Sequence, residues 1–196
     1  MTSPSRLDQA YSAFDAVNKT DPNIFNWEGK DWPRELFLAE KLTEWVLKLA
    51  PNAPEPLKLA ARCQHIGRWQ IPRRDYPEGR IGYLTWRKAL AQHHADMASG
   101  ILRDLQYDEQ TIERVRVIVL KRGIKQDPDV QVMENALCLV FLQYQFESFR
   151  LDNEEKIVSI IQKSLLKMDE AGRQQALTVE YSPAGLAVIN EALAGL

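Results

Sequence analysis

The amino-acid sequence predicts an all-α fold, a single compact bundle of about seven or eight helices. Apolar residues recur at helical spacing in nearly every segment, whereas the alternation of apolar and polar residues that is typical of strands is absent. The 196 residues, 45% of them hydrophobic and 27% charged, suit one globular domain. We therefore predict one helical domain over residues 1–196, with 1–30 and 182–196 as appendages.

The first part of the chain predicts three helices. Residues 5–17 place apolar side chains on one face of a short amphipathic helix. The segment "KTDPNIFNWEGKDWP" predicts a loop, because it is rich in turn-forming residues. Proline suits the first position of a helix and also ends one, so we predict helices from Pro33 to Pro51 and from Pro56 to Pro72.

The remaining helices follow an irregular connection, "IPRRDYPEGRIGY". Each begins at a residue suited to cap its N-terminus, and several end at a glycine. The predicted starts and ends are Thr85 to Leu105, Asp108 to Gly123, Asp127 or Asp129 to Phe146, Asp152 or Asn153 to Gly172, and Ser182 to Gly195.

Composition and charge exclude several classes of protein. The formal net charge of −2 argues against a general nucleic-acid binder. Cys63 and Cys138 lie far apart inside apolar helical patterns, and no cysteine spacing suits a structural zinc site. The N-terminus lacks the apolar core of a signal peptide, and the apolar stretch "ALCLVFL" is too short to span a membrane. We expect a cytoplasmic protein with two reduced, buried thiols and no membrane partner.

The segment from Arg62 to Lys88 concentrates positive charge and aromatic rings. It holds seven basic and two acidic residues, although the whole chain carries −2. Arginine binds phosphate and carboxylate groups bidentately, and a neighbouring aromatic ring can stack on a base. The pattern predicts a pocket for an anionic small molecule; the alternative is a loop held to acidic helices by salt bridges. The substrate-binding candidates are Arg68, Trp69, Arg73, Arg74, Arg87 and Lys121.

The three histidines of the chain lie close together in sequence, at His65, His93 and His94. Adjacent residues point about 100° apart on a helix, so His93 and His94 cannot readily share one ion. Glu134 lies in the apolar segment "VMENALCLVFL", where a buried carboxylate needs a cation, a hydrogen bond or a proton. His65, His94 and Glu134 are candidate acid–base residues and candidate ligands of a divalent metal ion. The alternative is that the histidines are hydrogen-bonded residues of the core.

Longer motifs resemble known families. The runs "CQHIGRWQIPRRDYPEGRIGYLTWRKALAQHHADMASGIL", "MENALCLVFL" and "KSLLKMDEAG" look like the family labelled domain of unknown function 4202, which implies no activity. "QHIGRW" and "HADMASGIL" have a more distant resemblance to the HD-superfamily phosphohydrolases, enzymes whose metal ions polarise phosphate oxygens and activate water. That second resemblance implies an HD-domain-like bundle.

The sequence departs from the HD pattern at the positions of the metal ligands. Gln64 and His65 stand where the resemblance places a His-Asp dyad, and Asn135 stands where it places the closing aspartate. The early helix offers a glutamate instead of a histidine, at Glu35, Glu40 or Glu44. The resemblance therefore implies a helical layout that survives around an altered or lost metal centre.

Two functions stay open at this point. One is a divergent HD-like hydrolase, with or without a divalent metal ion, that acts on a phosphorylated or nucleotide-like small molecule. The other is a non-catalytic module that binds an anionic ligand or an RNA element in the same basic, aromatic-lined pocket. Nucleic acid is the less favoured partner because the net charge of the chain is −2.

Overall fold

A computed structural model describes residues 4–196 and confirms the all-α class; residues 1–3 of the predicted domain lie outside the described residues. Ten α-helices, one two-stranded hairpin and two short 3₁₀ turns, Arg68–Gln70 and Arg73–Asp75, make up the regular structure of that range. In chain order they are α1 (Arg6–Asn18), β1 (Ile24–Trp27), β2 (Lys30–Pro33), α2 (Arg34–Leu49), α3 (Glu55–Cys63), α4 (Gly79–Asp104), α5 (Glu109–Val119), α6 (Pro128–Tyr144), α7 (Phe146–Leu151), α8 (Ile157–Lys167), α9 (Glu170–Ala176) and α10 (Pro183–Ala194).

The chain divides into two compact units. Of the described residues, the first unit holds those up to Glu44 together with Asn52–Arg122, and the second holds Trp45–Pro51 and Gly123–Leu196. In the first unit α3 packs against α1 and α5, and α4 packs against α5. In the second unit α6 packs against α7, α8 and α9, while α10 packs against α7 and α8.

Side chains cap the starts of several helices, among them two predicted caps, Asp108 and Ser182. Helix α1, for which no cap was predicted, begins with a reciprocal capping box of Ser5 and Asp8. The Asp108 side chain accepts a hydrogen bond from the Thr111 amide at the start of α5, and Ser182 caps α10 with Pro183 in its first turn. These side chains satisfy amide groups that have no partner inside the helix, so a short polar residue before an apolar run is a reliable start signal.

The segment predicted to be a loop between α1 and α2 contains the hairpin. Strands β1 and β2 pair antiparallel, with Trp27 opposite Lys30. The two residues between them, Glu28 and Gly29, both have positive φ angles, of 51° and 75°. Two successive positive φ angles are the geometry of the tight turn that suits a two-residue hairpin. The strands have four residues each, which is too short for a clear alternation in the sequence.

The boundaries around the basic segment differ from the prediction. Helix α3 ends at Cys63 instead of Pro72, and α4 begins at Gly79 instead of Thr85. The Thr85 hydroxyl donates to the Ile81 carbonyl, 3.0 Å away, so this residue lies inside the helix and does not cap it. Gly82 permits the early start, because a Cβ atom there would lie 1.9 Å from the Pro77 carbonyl oxygen.

Two of the three predicted glycine stops are also wrong, whereas Gly195 directly follows the end of α10 as predicted. Helix α5 ends at Val119, and the left-handed residue after its cap is Lys121, not Gly123. The predicted helix from Asp152 or Asn153 to Gly172 is interrupted, because Asp169 caps a new helix, α9. Gly172 therefore lies in the first turn of α9, and its amide donates to Asp169 Oδ1 over 2.9 Å.

The cysteines and the length of the helices bear on two further features of the chain. Cys63 and Cys138 are both reduced and buried, as predicted. Within residues 4–196, no helix combines the length and the apolar character that crossing a membrane requires.

Candidate functional site

A small cavity in the first unit collects most of the predicted site residues of that unit. Its volume is about 60 Å³, and the segments that line it are the end of α3, the 3₁₀ turn that follows, α4 and the end of α5. We call it the cationic cavity. Its polar lining residues are Gln64, His65, Arg68, Arg87, His94 and Lys121.

Gly67 turns the chain between the two lining residues His65 and Arg68. It has a φ of 64°, a conformation that glycine adopts without steric cost. A Cβ atom at this position would lie 2.9 Å from Met97 Cε, and its amide donates to Asn18 Oδ1 over 3.3 Å. A larger residue would therefore displace the turn that points this segment at α4.

His94 is held in one tautomer at the wall of the cationic cavity. Its Nδ1 atom lies 2.7 Å from the carbonyl oxygen of Ile66, and a carbonyl can only accept, so Nδ1 carries the hydrogen. Burial lowers the pKa of His94 to about 3; the bond to Ile66 opposes this shift, while Arg68 adds to it. The ring is therefore neutral at physiological pH, and Nε2 keeps its lone pair.

His65 faces a buried carboxylate, Glu35, in the first turn of α2. Glu35 is 4% exposed, and its Oε2 atom lies 4.0 Å from His65 Nδ1. Its Oε1 atom lies 3.7 Å from Arg68 Nε. Burial raises the pKa of Glu35 to about 7, against the opposing effect of Arg68. Burial, with the nearby charge of Arg68, holds the pKa of His65 well below its usual value. A neutral imidazole thus faces a carboxyl group that titrates near neutral pH.

Three cationic side chains reach the cationic cavity from three different segments. Arg68 lies in the 3₁₀ turn after α3, and its guanidinium carbon is 5.3 Å from the centre of the Trp86 ring. Arg87 comes from α4, and Lys121 comes from the turn that ends α5. The residues that line the cavity include no acidic side chain, and Glu35 lies beside Arg68 as a counter-charge. The electrostatic field of the cavity therefore favours an anion.

Other predicted substrate-binding residues do not line the cationic cavity. Arg73 donates to the carbonyl oxygen of Tyr76 over 2.8 Å, which fixes the connection before α4. The Arg74 side chain is 88% exposed and lies 3.9 Å from Asp75. Trp69 is half-buried in the 3₁₀ turn. Two of these side chains thus have local contacts in the connection between α3 and α4.

Glu134 belongs to the second unit and is buried in α6. Its Oε1 atom lies 3.7 Å from Lys167 Nζ. Its neighbour Asn135 donates to Asp169 Oδ1 over 2.8 Å and accepts from the Asp169 amide over 3.2 Å. Asn135, which stands where the HD resemblance places an aspartate, therefore anchors the start of α9.

The residues of the cationic cavity do not fit a divalent metal ion. Among residues 4–196, no group of three His, Cys, Asp or Glu side chains is arranged to hold one. His65 and His94 have ring centres 5.7 Å apart, but Arg68, Arg87 and Lys121 line the same space and repel a cation. The metal site built from His65, His94 and Glu134 stays a prediction.

Gln64 lines the cavity and Glu35 lies beside it, although neither is among the catalytic or substrate-binding residues predicted from the sequence. Glu35 was one of three glutamates in an amphipathic helix, and only the three-dimensional structure shows which of them is buried. Gln64 stands out in the sequence only because it replaces the first residue of the His-Asp dyad of the HD pattern. The one available signal was its position directly before His65 at the end of an apolar helix.

Comparison with known proteins gives one match. A family model described as Domain of unknown function (DUF4202) matches residues 8–189, which is nearly the whole chain. No curated protein and no solved structure matches the chain significantly.

Proposed function

Because the chain belongs to the Domain of unknown function (DUF4202) family, whose description assigns no activity, we propose a function from its cationic cavity. The proposal is that the cavity binds the phosphoryl group of a phosphorylated or nucleotide-like small molecule, which the first unit then hydrolyses. The observation that carries it is the convergence of Arg68, Arg87 and Lys121 on a space of about 60 Å³ beside His65 and Glu35.

Binding follows from charge and size. A phosphoryl group is a compact anion with several acceptor oxygens, and guanidinium and ammonium groups supply the matching donors. Arg68 and Arg87 come from different segments, so together they would contact the anion from two sides. Burial lowers the pKa of Arg68, because its charge is partly desolvated, and an anionic ligand would compensate that charge.

Turnover would depend on the pair formed by His65 and Glu35. A proton-transfer group works best when its pKa lies near the working pH, and that of Glu35 is about 7. The separation of 4.0 Å between Glu35 Oε2 and His65 Nδ1 is long for a hydrogen bond, but catalytic contacts commonly tighten when the substrate binds. The pair would donate a proton to the leaving oxygen and recover one from the attacking water.

The proposal includes a distant kinship with the HD-superfamily phosphohydrolases. Gln64 and His65 come from "QHIGRW" and His94 comes from "HADMASGIL", the two segments that resemble HD motifs. These segments line one cavity, which supports the kinship. In place of the ions of that superfamily, this chain would use its arginines and lysine to stabilise charge on the phosphoryl group.

Isothermal titration with inorganic phosphate tests the binding step. Arg87→Ala should weaken phosphate binding about tenfold or more, because it removes a charged hydrogen-bond donor. Arg80→Ala is the matched control: Arg80 is an exposed arginine of the same helix that does not line the cavity, so its loss should leave the affinity unchanged. Equal effects of the two variants, or no binding by the wild type, would contradict the proposal.

Phosphate release separates the enzyme from the binding module. We expect release from p-nitrophenyl phosphate or from a nucleoside monophosphate with EDTA present, and its loss in His65→Ala with phosphate affinity retained. Tight binding without release, with EDTA or with added Mn²⁺, would favour the non-catalytic module in the same cavity.

A further inference from the structure

Gln64 lines the cationic cavity and carries a buried side-chain acceptor without a hydrogen-bond partner among the described residues. Its Nε2 atom donates to the carbonyl oxygen of Val119 over 3.0 Å, which decides the orientation of the amide. The side chain is 3% exposed, and its Oε1 atom has no hydrogen-bond partner among the described residues. A buried acceptor of this kind needs a donor from a ligand or from water.

His94 also lines the cavity and carries a second buried acceptor of this kind. Since Nδ1 donates to the Ile66 carbonyl, Nε2 is the unprotonated ring nitrogen, and its lone pair can accept a hydrogen bond. The residue is 2% exposed, and Nε2 likewise has no hydrogen-bond partner within residues 4–196. Both residues line the cationic cavity.

The two acceptors call for one donor molecule with two hydrogens. A cation is disfavoured there, because Arg68, Arg87 and Lys121 line the same cavity. Water is neutral and donates twice. A water site needs about 10–15 Å³ and at least two polar partners. The cavity of about 60 Å³ is larger than this, so we expect it to hold the water next to the terminal oxygens of a phosphoryl group.

We infer that Gln64 and His94 hold the water molecule that attacks the phosphorus atom. The inference rests on the proposed function and adds a catalytic role for Gln64. With both hydrogens directed at Oε1 and Nε2, the lone pairs of the water oxygen face the phosphoryl group. His94 holds the water without taking its proton, because its ring stays neutral beside the surrounding cations.

The atoms of the step balance. The water oxygen forms a bond to phosphorus, and the bond between phosphorus and the ester oxygen breaks. The ester oxygen leaves as an alcohol with a proton from the His65–Glu35 pair. The attacking water passes one proton to a phosphoryl oxygen as the new bond forms, and the phosphate product returns a proton to the His65–Glu35 pair. The products are the alcohol and inorganic phosphate, and no group is oxidised or reduced.

Orthovanadate and sulfate distinguish this role from simple anion binding. Vanadate adopts the five-coordinate geometry of phosphoryl transfer, with an apical oxygen at the place of the attacking water, whereas sulfate stays tetrahedral. Gln64→Met keeps the side-chain length and removes the acceptor. We expect it to weaken vanadate binding about tenfold and sulfate binding less than about twofold. Only vanadate has an apical oxygen at the place of the water, so only vanadate loses the hydrogen bond to Gln64 Oε1.

Thr43→Val is the control for loss of a buried hydrogen bond in the same unit, because the Thr43 hydroxyl donates to the Ala39 carbonyl in α2. It should change neither affinity. Equal weakening of both anions by Gln64→Met, or weakening of neither, would overturn the inference while the binding proposal stands. Failure of the wild type to bind sulfate would remove the proposed function itself.

A crystal structure of the wild type with vanadate is the second measurement, and it needs no variant. The apical oxygen should lie within hydrogen-bond distance of Gln64 Oε1 and His94 Nε2. An apical oxygen that points elsewhere would overturn the inference. So would a stoichiometric divalent ion bound to these two atoms, because it would make them metal ligands.

Discussion

At the scale of single residues, Lys121 has a backbone conformation that favours glycine, yet its side chain lines the cationic cavity. The Lys121 amide bonds the Ile118 carbonyl and the Arg122 amide bonds the Val117 carbonyl, the pattern of a helix end that favours glycine. Lys121 has a φ of 55° there, which is sterically unfavourable for a side chain with a Cβ atom. The side chain nevertheless lines the cationic cavity, so this position retains strain at a candidate functional site.

Replacing Lys121 with glycine should therefore separate stability from binding. Lys121→Gly is expected to raise the free energy of unfolding by about 0.5–1 kcal/mol and to weaken sulfate binding about tenfold. Lys125→Gly is the control: its φ is 70° and it lies outside the cavity, so it should stabilise without changing sulfate affinity. Denaturant titration and calorimetry measure the two quantities. Unchanged sulfate affinity in Lys121→Gly would remove this lysine from the site.

Glu35 predicts how stability depends on pH. Its native pKa of about 7 lies above the ordinary value of 4.5, so the folded state holds its proton more tightly than the unfolded state does. The resulting stabilisation is complete below pH 4.5 and is lost as the pH rises through 7, by up to about 3 kcal/mol. Glu35→Gln should remove this loss between pH 5 and pH 8 in denaturant titrations. Glu44→Gln, at an exposed position of α2, should keep it.

Charge and motif in the sequence selected residues that the structure places together, although their role there stays a prediction. Five of the predicted site residues line one cavity: His65, Arg68, Arg87, His94 and Lys121. Glu35 could not be selected, because its burial depends on how α2 packs, and helical periodicity does not resolve three glutamates on one helix. A carboxyl group becomes a proton-transfer candidate only when burial shifts its pKa.

At the scale of elements, the sequence predicted helix starts better than helix ends. A cap is a local hydrogen bond between a short polar side chain and a free amide, so it can be read from the sequence. A helix end depends on which residue accepts a positive φ, and here Lys121 does so although Gly123 follows it two residues later. Glycine often follows the end of a helix, so Gly172 is predicted to end one. In the structure it lies inside α9, where it packs closely against Asn135.

Gly172 should be intolerant of a side chain. A Cβ atom there would lie 2.6 Å from Asn135 Cγ, and Asn135 is fixed by its hydrogen bonds to Asp169 and Gln131. Gly172→Ala is expected to lower the free energy of unfolding by about 1–3 kcal/mol, as overpacking in a core does. Gly100→Ala in α4 is the matched control, since no atom lies within 4 Å of its Cβ position, and it should be stabilising. Thermal unfolding of both variants measures the contrast, and a neutral Gly172→Ala would show that Asn135 can move.

At the scale of the whole molecule, periodicity and composition were sufficient for the all-α class but not for the division into two units. Helix α2 carries one continuous apolar stripe, yet its residues through Glu44 belong to the first unit and those from Trp45 to the second. Trp45 Nε1 donates to Gln143 Oε1 over 2.8 Å inside the second unit. Nothing local marks this change, because a helix that serves two cores has the same pattern as a helix that serves one.

The charge of the whole chain predicts that RNA is not the ligand. The net charge is −2, and many basic residues of the first unit are paired with carboxylates, as Arg62 is with Asp15 and Arg116 is with Asp96. Nucleic-acid binding requires many simultaneous phosphate contacts, whereas a cavity of about 60 Å³ admits one phosphoryl group.

Labelled single-stranded RNA should show no saturable binding by fluorescence anisotropy at about 0.15 M salt, where non-specific affinities are weak. A nucleoside monophosphate should compete with sulfate in the same buffer, and the competition should disappear in Arg87→Ala but persist in Arg80→Ala. Tight RNA binding that weakens steeply with added salt would instead place the functional surface on the exposed arginines outside the cavity.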